Sequence, residues 1–349
     1  KWSGGAEVYI HELARRWVAM GHKVTVFCGN DQDSRRYETI SGVWVIRRGG
    51  FYTVYIWAFL YYMRHLRGKY DIIIDSENGL PFFTPLYARE KVYLLIHHVH
   101  QEVFRKTLKP PFSWLAQALE RRVMPIVYRN TEVITVSPSS KSAILENCLT
   151  KKDPHVIYNG VDLDLCKPGR KSQHPTVLYL GRLTTAKSLY VLIEAAKKIR
   201  KWVPQVTITI AGDGPDRERL KKLTQKLGVD EFVIFVGKVT ETVKVSLYQR
   251  TWIFVNPSLI EGWGITTIEA NACGTPVVAS NVAGLRDAVH NPYSGLLIPY
   301  GNVDEFASNI TKLLIETKTR QLMSNESIEW AKKFDWDKSA NKSIEIFQA

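Results

Sequence analysis

The chain has 349 residues, of which 45% are hydrophobic and 23% are charged, and its formal net charge is +13. These proportions are ordinary for a folded soluble protein, and the length allows about two domains. The positive charge is compatible with an anionic membrane surface, phosphorylated small molecules or nucleic acid. Because the sequence has no zinc finger, RNP motif or lysine-rich tail, nucleic acid is not expected as a partner.

The four cysteines lie far apart, with neither a CxxC pair nor the spacing of metal ligands (Cys28, Cys148, Cys166, Cys273). Isolated thiols in a chain of this size indicate a reducing compartment without disulfides. No secretory signal is visible, and the longest apolar run, at 51–63, is too short to span a bilayer. We therefore expect a soluble cytoplasmic protein.

Short apolar runs alternate with amphipathic helical patterns along the whole chain. In the first half, the runs that predict buried strands are KVTVF, YDIIID, KVYLLIHH and TEVITVS, at 23–27, 70–75, 91–98 and 131–137. The rhythm then restarts with TVLYLG, QVTITIAG, FVIFVG, TWIFVNPS and TPVVAS, at 176–181, 205–212, 232–237, 251–258 and 275–280. Continuous apolar strands between helices indicate parallel sheets covered on both faces. Two such series predict an α/β protein with two Rossmann-like domains.

The segment CKPGRKSQHP at 166–175 is polar and contains proline and glycine, which is typical of a linker. We therefore place the first domain at 1–165 and the second at 166–330. The opening residues KWSGGAEVYIHELA form a glycine turn that leads into a helix, and such a turn normally follows a strand. The first strand of the N-terminal sheet is therefore expected to be missing from this sequence.

The stretch EGWGITTIEANACGTPVVAS, at 261–280, combines two carboxylates with two glycines ahead of a helix. Gly262 and Gly264 let the backbone N–H groups of the first helical turn approach an anion closely, which suits a phosphate. Glu261 stands at the mouth of the loop and Glu269 inside the helix, where both can accept hydrogen bonds from hydroxyls. This arrangement fits a nucleotide sugar. The alternative is that both glutamates are solvated charges, which helix N-termini favour anyway.

The same stretch resembles the signature of glycosyltransferase family 4, which comprises retaining enzymes with the GT-B fold, two Rossmann-like domains facing across a cleft. Other segments resemble the family in the expected order, namely GGAEVYIHELARRWVAMGHKVTVF, VIYNGVDLDLCKP, YLGRLTTAKSLYVLIEA, IAGDGP and AKKFDWDKSANKSIEIF. In the family the last of these, here 331–349, is a helix that packs back on the first domain. IHHVHQEVF, preceded by DSENGLPFFTPLY, is similar to prokaryotic polysaccharide and lipid-linked oligosaccharide transferases.

The resemblance implies a set of donor-binding residues. Arg182 and Lys187 match the basic pair that holds the donor diphosphate, and Glu269 matches the glutamate that binds the ribose. Gly5 is expected to face the phosphate and the acceptor from the other domain. The family often has glycine where this chain has Ser188; serine also fits a turn or a cap, so a local difference in the phosphate loop is expected. Backbone contacts to the phosphates fall at three adjacent positions, Trp263, Gly264 and Ile265.

The resemblance also implies residues at the reacting centre. Glu261 matches the glutamate that touches the transferred sugar, and His97, directly after KVYLLI, matches a histidine near the reacting carbon. The same role stays open for His98 and His100. For each of the three histidines, the alternative is a buried structural residue.

Charge development during transfer predicts that no catalytic metal and no cofactor are required. Cleavage leaves negative charge on the nucleoside diphosphate, which two basic side chains and a helix N-terminus can neutralise. A metal-dependent transferase needs an acidic ligand cluster instead. The pattern DxD occurs at 31–33, 162–164 and 335–337, and three occurrences show how little it discriminates. Because Glu261 and Glu269 are assigned to opposite ends of a UDP- or GDP-sugar, they are not the carboxylate pair of a glycosidase.

Two other classes of function stay open. A dinucleotide-dependent oxidoreductase would explain two Rossmann-like units, although G-x-G-x-x-G follows none of the predicted strands. A non-catalytic nucleotide-sugar-binding protein would keep the basic pair and the ribose-binding glutamate, but it would not need His97.

Two segments of the first domain predict peripheral binding to an anionic membrane. Residues 51–67 are crowded with aromatic side chains, and residues 103–129 carry six Lys/Arg against one Glu, interleaved with Phe, Trp and Leu. Such basic amphipathic elements are typical of membrane surfaces. A lipid-linked or glycan acceptor would place the protein at the inner face of the cell membrane. The alternative is that the aromatic residues pack against the sheet and the basic face is solvated.

Overall fold

The computed structural model describes residues 4–31, 34–101, 104–105 and 109–348. The chain divides into two compact units, residues 1–158 with 336–349 and residues 159–335, which we call the N-terminal and C-terminal units. The division falls between Tyr158 and Asn159, ahead of the linker at 166–175 that the composition indicated. That segment contains neither helix nor strand.

The N-terminal unit contains two sheets. The first has the order β1–β3–β2, and its strands are β1 (Thr25–Cys28), β2 (Tyr37–Ile40) and β3 (Val43–Arg47). β1 runs parallel to β3, whereas β2 and β3 form an antiparallel hairpin. Ser41 and Gly42 close the hairpin at φ of 51° and 80°, the positive values that a tight hairpin turn requires at both central residues. The second sheet, β4–β5–β6–β7, is parallel throughout, with β4 (Ile72–Glu77), β5 (Lys91–Ile96), β6 (Glu132–Thr135) and β7 (His155–Val156).

Helices accompany both sheets of this unit. They are α1 (Gly5–Ala19), α2 (Val54–Tyr61), α3 (Phe112–Ala118), α4 (Met124–Val127) and α5 (Pro138–Glu146). Two π-helical segments, Tyr62–Leu66 and Leu119–Val123, continue α2 and α3. The buried core beside the parallel sheet is formed by apolar side chains of β5, β6 and the helices, including Leu94, Ile96, Met124, Val133 and Ile144.

One parallel sheet of six strands runs through the C-terminal unit in the order β10–β9–β8–β11–β12–β13. Its strands are β8 (Thr176–Leu180), β9 (Thr207–Ala211), β10 (Val233–Gly237), β11 (Ile253–Asn256), β12 (Val277–Ser280) and β13 (Gly295–Ile298). Every residue of β11 and β12 is buried, which is why both read as unbroken apolar runs. This confirms the predicted parallel α/β architecture of the second half.

The helices of the C-terminal unit alternate with its strands. They are α6 (Tyr190–Trp202), α7 (Arg217–Leu227), α8 (Glu241–Arg250), α9 (Ile265–Ala272), α10 (Leu285–Ala288), α11 (Val303–Ile315) and α12 (Thr317–Ala331). The apolar faces of α6 and α11 pack against each other and against the sheet.

The last helix, α13 (Trp336–Gln348), belongs to the N-terminal unit and packs on α1. The Trp17 indole N–H donates a hydrogen bond to the Ser343 hydroxyl over 2.8 Å, and the Tyr93 hydroxyl donates to the Ile346 carbonyl over 3.0 Å. Both aromatic rings also contact Phe347 edge-on. Among the described residues, no helix has the length and apolar character that crossing a bilayer requires.

Candidate active site

Two neighbouring strands in the middle of the C-terminal sheet lead into the loops that carry most of the predicted donor residues. β8 and β11 are adjacent, but the chain continues from β8 to β9 on one side and from β11 to β12 on the other. Open α/β sheets bind ligands at the carboxyl ends of the strands where the order reverses in this way. Arg182 and Lys187 follow β8, and Glu261 and Glu269 follow β11. All four positions therefore lie in segments that follow the carboxyl ends of two adjacent strands.

Lys187 and Glu261, which were assigned to the diphosphate and to the sugar, pair with each other. The Lys187 Nζ lies 2.5 Å from the Glu261 Oε1, and the two side chains are 21% and 16% exposed. The Ser258 hydroxyl lies 3.0 Å from the same carboxylate oxygen. The Leu259 N–H donates to the Ala186 carbonyl over 2.9 Å, so the backbones of the two loops are also joined.

Ser188, where the family often has glycine, adopts the backbone conformation that glycine favours. Its φ is 49°, in the left-handed region, and its side chain is almost fully buried. The Ser188 hydroxyl lies 3.0 Å from the Tyr300 hydroxyl. The loop therefore follows a glycine-like path, and the serine hydroxyl adds a hydrogen bond that glycine could not form.

Arg182 lies in the same loop with an exposed side chain. Its carbonyl accepts a hydrogen bond from the Tyr179 hydroxyl over 3.0 Å, which fixes the backbone from which the side chain extends. Within the part of the chain that the structure describes, no carboxylate forms an ion pair with the Arg182 guanidinium. Its charge can therefore be directed at an anionic ligand.

Glycine is required at the start of α9 and also at the start of α10, which packs against the loop before α9. Gly264 is the N-cap with φ of 92°, and a Cβ there would lie 2.8 Å from the Leu285 Cδ2. Gly284 has φ of 78°, and a Cβ there would lie 2.3 Å from the Glu261 carbonyl oxygen. The loop before α9 is thus held against the start of α10 more closely than a larger residue would permit. Ile265 is the first residue of α9, so its N–H is one of those without a partner inside the helix.

The Trp263 side chain is part of the core rather than of the site. It is 3% exposed, and its ring meets the Phe334 ring edge-on at 4.9 Å. Any phosphate contact at this position is therefore made by the backbone, as the resemblance implied.

Glu269 projects from α9 and is held by two residues of α8. Its Oε1 lies 2.6 Å from the Lys244 Nζ, and its Oε2 accepts a hydrogen bond from the Tyr248 hydroxyl over 2.9 Å. Burial lowers the pKa of Lys244, but the Glu269 and Glu241 carboxylates together outweigh this and raise the pKa above its usual range. Burial and the same carboxylate raise the pKa of Tyr248. Both partners therefore keep their protons and hold the Glu269 carboxylate in place.

The predicted residues of the N-terminal unit lie at the start of a helix and at the end of a strand. Gly5 is the exposed first residue of α1, and the N–H of its neighbour Gly4 donates to the Glu7 carboxylate over 2.7 Å. His97 follows β5 and is 7% exposed, with its ring edge-on to that of Tyr9 at 5.3 Å. Burial lowers the pKa of His97 to about 4, so its imidazole is neutral at pH 7.

The other two histidines occupy different surroundings. The His98 ring lies 4.1 Å from the ring of His100. His100 is buried, and its Nδ1 lies 2.9 Å from the Glu77 Oε1. The backbone N–H of His100 donates a hydrogen bond to the Glu120 Oε1 over 2.7 Å. Sequence reasoning missed this group of Glu77, His100 and Glu120 because its members come from three separate segments, one of which was assigned to a basic surface.

The DxD pairs have other partners where they can be described. The Asp162 carboxylate accepts hydrogen bonds from the N–H groups of Asp164 and Leu165, both over 3.0 Å, and so closes a local turn. Asp337 pairs with Arg16 in the N-terminal unit. The predictions that involve Asp33 and Lys106 lie outside the described residues.

Comparison with known protein families covers both halves of the chain. Residues 3–165 match the family model described as Glycosyltransferase Family 4, and residues 164–330 match the one described as Glycosyl transferases group 1. An uncharacterized glycosyltransferase of Methanocaldococcus jannaschii is 27% identical, over 99% of this chain and 94% of its own length. A D-inositol 3-phosphate glycosyltransferase of Kribbella flavida is 25% identical, over 99% of this chain and 91% of its own.

Solved structures share the whole fold. Sucrose-phosphate synthase of Thermosynechococcus elongatus aligns with a TM-score of 0.85 and 22% identity, over 99% of this chain and 93% of its own. HepE of Anabaena, solved in complex with UDP-glucose, aligns with a TM-score of 0.77 and 20% identity, over 99% and 96%. The two family models show that the chain is a glycosyltransferase of family 4, and the solved structures show that it has the GT-B fold.

Proposed function

We propose that the chain transfers a hexose from a nucleotide sugar to a glycan or lipid-linked acceptor, with retention of configuration and without a catalytic metal. The observation that carries this proposal is the meeting of Lys187 and Glu261 at the switch point of the C-terminal sheet. Arg182 and the start of α9 lie in the same two loops. A nucleotide sugar offers a diphosphate to the cationic groups and hydroxyls to the carboxylates.

Neutralisation of the leaving group is assigned to this chain's own groups. When the bond from the anomeric carbon to the phosphate oxygen breaks, its electron pair stays on the nucleoside diphosphate. Arg182, Lys187 and the first N–H groups of α9 would stabilise that charge as it develops. A metal ion would have to perform the same task if these groups were absent.

The pairing of the two glutamates supports binding roles rather than that of a nucleophile. Both oxygens of Glu269 are engaged by Lys244 and Tyr248, and Glu261 is engaged by Lys187. Such carboxylates still have lone pairs for hydroxyls of ribose and of the transferred sugar. Retention would then come from attack on the face that the diphosphate leaves, with a donor phosphate oxygen taking the acceptor proton.

A thermal-shift screen of nucleotide sugars can identify the base of the donor. Either a UDP-sugar or GDP-mannose fits the proposal, and HepE of Anabaena was solved with UDP-glucose. A ligand that binds only the folded chain raises its apparent stability, by about 2.7 kcal/mol at a hundred times its Kd. UDP-glucose, UDP-GlcNAc, UDP-galactose and GDP-mannose therefore form the first panel.

Turnover separates an enzyme from a non-catalytic binding protein. With the donor found in the screen, free nucleoside diphosphate should be released only when a lipid-linked or free glycan acceptor is present. Binding of the donor without release, across monosaccharide, oligosaccharide and lipid-linked acceptors, would favour the binding protein. His97→Asn is the informative variant, because a protein that only binds the donor does not need His97.

Exposed apolar side chains of the N-terminal unit support peripheral membrane binding as part of the proposal. The region at 51–60 exposes Phe51 (84%), Tyr52 (80%) and Ile56 (62%), and α3 exposes Phe112 (68%) and Trp114 (67%). Large aromatic side chains left in water mark surfaces that meet a membrane or a partner. This observation disfavours the alternative in which the aromatic residues of both segments pack against the sheet.

Basic residues flank the same apolar side chains. Arg105, Lys109, Arg121 and Arg122 are exposed in the segment that contains α3. Each basic residue near an anionic lipid surface contributes about 1 kcal/mol. We therefore place the protein at the cytoplasmic face of the cell membrane, where a lipid-linked acceptor would present its sugar.

A further inference from the structure

Three side chains from separate segments of the N-terminal unit converge in its interior. Glu77 is the last residue of β4, His100 follows β5, and Glu120 lies in the π-helical segment after α3. Each offers a nitrogen or oxygen atom that can bind a metal, and these atoms all lie within 4.8 Å of one another. Glu77 and Glu120 are 0% exposed and His100 is 6% exposed. Carboxylates are almost never buried this completely without a compensating partner.

The hydrogen bonds in the group leave part of each carboxylate without a partner. The Glu77 Oε1 lies 2.9 Å from the His100 Nδ1 and 3.3 Å from the Gly79 backbone nitrogen. The Glu120 Oε1 accepts a hydrogen bond from the backbone N–H of His100. The second oxygens, Glu77 Oε2 and Glu120 Oε2, are buried and accept no hydrogen bond from any described residue. Two unpartnered carboxylate oxygens therefore belong to a group whose three ligand atoms, one from each residue, lie within 4.8 Å of one another.

Asp75, two residues before Glu77 on the same strand, shows what a compensated carboxylate looks like in this unit. Its oxygens accept hydrogen bonds from the backbone N–H groups of Phe82 and Thr84 and from the Thr84 and Tyr128 hydroxyls. Glu77 has no such set of donors. Among the described residues, no lysine or arginine forms an ion pair with Glu77 or Glu120, so the imidazole of His100 is the basic group beside these carboxylates.

We propose that Glu77, His100 and Glu120 bind one divalent transition-metal cation, Zn²⁺ or Mn²⁺. Two carboxylates balance the charge of one such ion, and the cation would bind the oxygens that now have no partner. An imidazole nitrogen with carboxylate oxygens suits Zn²⁺ and Mn²⁺, whereas Mg²⁺ prefers oxygen ligands in octahedral geometry. The ion would join the end of β4, the segment after β5 and the segment after α3. Its role is structural, because all three ligands are buried in the interior of the N-terminal unit.

Metal binding to the purified chain tests the proposal directly. The chain is stripped with a chelator and titrated with Zn²⁺, Mn²⁺ and Mg²⁺ in a calorimeter, and retained metal is counted by mass spectrometry. We expect one equivalent of Zn²⁺ or Mn²⁺, no binding of Mg²⁺, and a higher Tm in the metal that binds. Glu120→Gln and Glu77→Gln should each weaken binding at least about tenfold, since loss of a group that merely supports a ligand already costs that much. Glu132→Gln is the matched control, because Glu132 is a carboxylate of the same unit that pairs with Lys152 and His155.

Several results would overturn the proposal. The first is that neither Zn²⁺ nor Mn²⁺ changes the Tm of the wild-type chain. The second is that the chain does not bind one equivalent of either metal. The third is that metal binding is unchanged in both glutamine variants. If the variants fail to fold, the absorption spectrum of Co²⁺ bound to the wild-type chain decides. A spectrum typical of nitrogen and oxygen ligands at one equivalent supports the site, and its absence contradicts it. A group kept neutral by protons would show no metal effect, and Glu120→Gln would then leave the Tm unchanged or raise it. Binding of UDP or GDP, measured in parallel, reports on the proposed function separately.

Discussion

The Lys187 Nζ lies 2.5 Å from the Glu261 Oε1, which joins the loop after β8 to the loop after β11. Both side chains are partly buried, so water screens the pair less than it would on an open surface. When a phosphate approaches Lys187, the lysine has to share its charge between the phosphate and Glu261. The residue assigned to the diphosphate is therefore coupled to the residue assigned to the sugar.

Lys187→Ala is expected to lower kcat/KM about ten- to a hundredfold. The variant removes a charge-assisted contact to the diphosphate worth roughly 1.5–3 kcal/mol, and it leaves Glu261 without its cation. The measurement is the initial rate over a range of donor concentrations, with the Tm recorded to show that the chain is folded. Lys198→Ala is the control, since Lys198 is an exposed lysine of α6 that pairs with Asp304. Wild-type kcat/KM in Lys187→Ala would contradict the assignment.

The left-handed conformation of Ser188 predicts that two small substitutions at this position differ in their effect on stability. Ser188→Ala removes the hydrogen bond to the Tyr300 hydroxyl and keeps the left-handed backbone, so it should destabilise the chain by about 1 kcal/mol. Ser188→Gly loses the same bond but relieves a left-handed conformation that costs about 1–2 kcal/mol in a residue with a Cβ. Glycine should therefore be the more stable of the two variants in urea unfolding. An alanine variant as stable as the glycine variant would show that the backbone strain at this position is unimportant.

Much of the fold could be predicted from the sequence because its central strands are buried on both faces. Such strands, like β11 and β12, are continuous apolar runs that stand out from the helices around them. The hairpin of β2 and β3 was missed because Tyr37–Ile40 alternates between exposed and half-buried positions and carries polar residues. β13 was missed because two of its four residues are incompletely buried, unlike those of β11 and β12.

The sequence indicated which residues form the candidate site, but not which side chains these residues pair with. The loop after β11 was found because glycines and carboxylates follow an apolar run there, and the loop after β8 was found from its resemblance to the family. That Lys244 and Tyr248 of α8 hold Glu269 was not visible, since helix packing decides which side chains of α8 and α9 meet. The buried Glu120 was assigned to a basic surface, because the sequence around it does not show which face of its helix is covered.

The lowered pKa of His97 predicts that the folded chain loses stability in acid. Burial lowers its pKa to about 4 from the ordinary 6.5, so the unfolded chain binds the proton first. Stability that is fully present above pH 6.5 is therefore lost as the pH falls towards 4, by up to about 3 kcal/mol at roughly 1.4 kcal/mol per pH unit. Urea unfolding between pH 7 and pH 4 should show a steeper fall for the wild-type chain than for His97→Asn.

The exposed His174 supplies the control for this experiment, because His174→Asn should leave the wild-type slope unchanged. Parallel curves for the wild-type chain and His97→Asn would mean that the His97 imidazole accepts a proton in the folded chain as readily as in the unfolded one.

Liposome flotation tests the proposed membrane surface. The chain should float with anionic liposomes, float less as salt rises, and stay in solution with neutral liposomes. Replacing Arg105, Lys106 and Lys109 by serine should reduce flotation. The matched control removes three exposed lysines of α6 in the C-terminal unit, Lys197, Lys198 and Lys201. An equal loss in both triple variants would indicate a general charge effect, and no flotation with anionic liposomes at low salt would exclude this surface.

The central claim is that Arg182, Lys187 and the start of α9 hold a nucleoside diphosphate without a metal. Calorimetric titration of the chain with UDP and with GDP, in excess EDTA, tests it most directly. We predict that one of the two binds with one-to-one stoichiometry in EDTA. The double variant Arg182→Ala, Lys187→Ala should weaken that binding about a hundredfold or more, since each contact is worth roughly 1.5–3 kcal/mol. Binding that appears only after Mn²⁺ or Mg²⁺ is added, or that is unchanged in the double variant, would contradict the account.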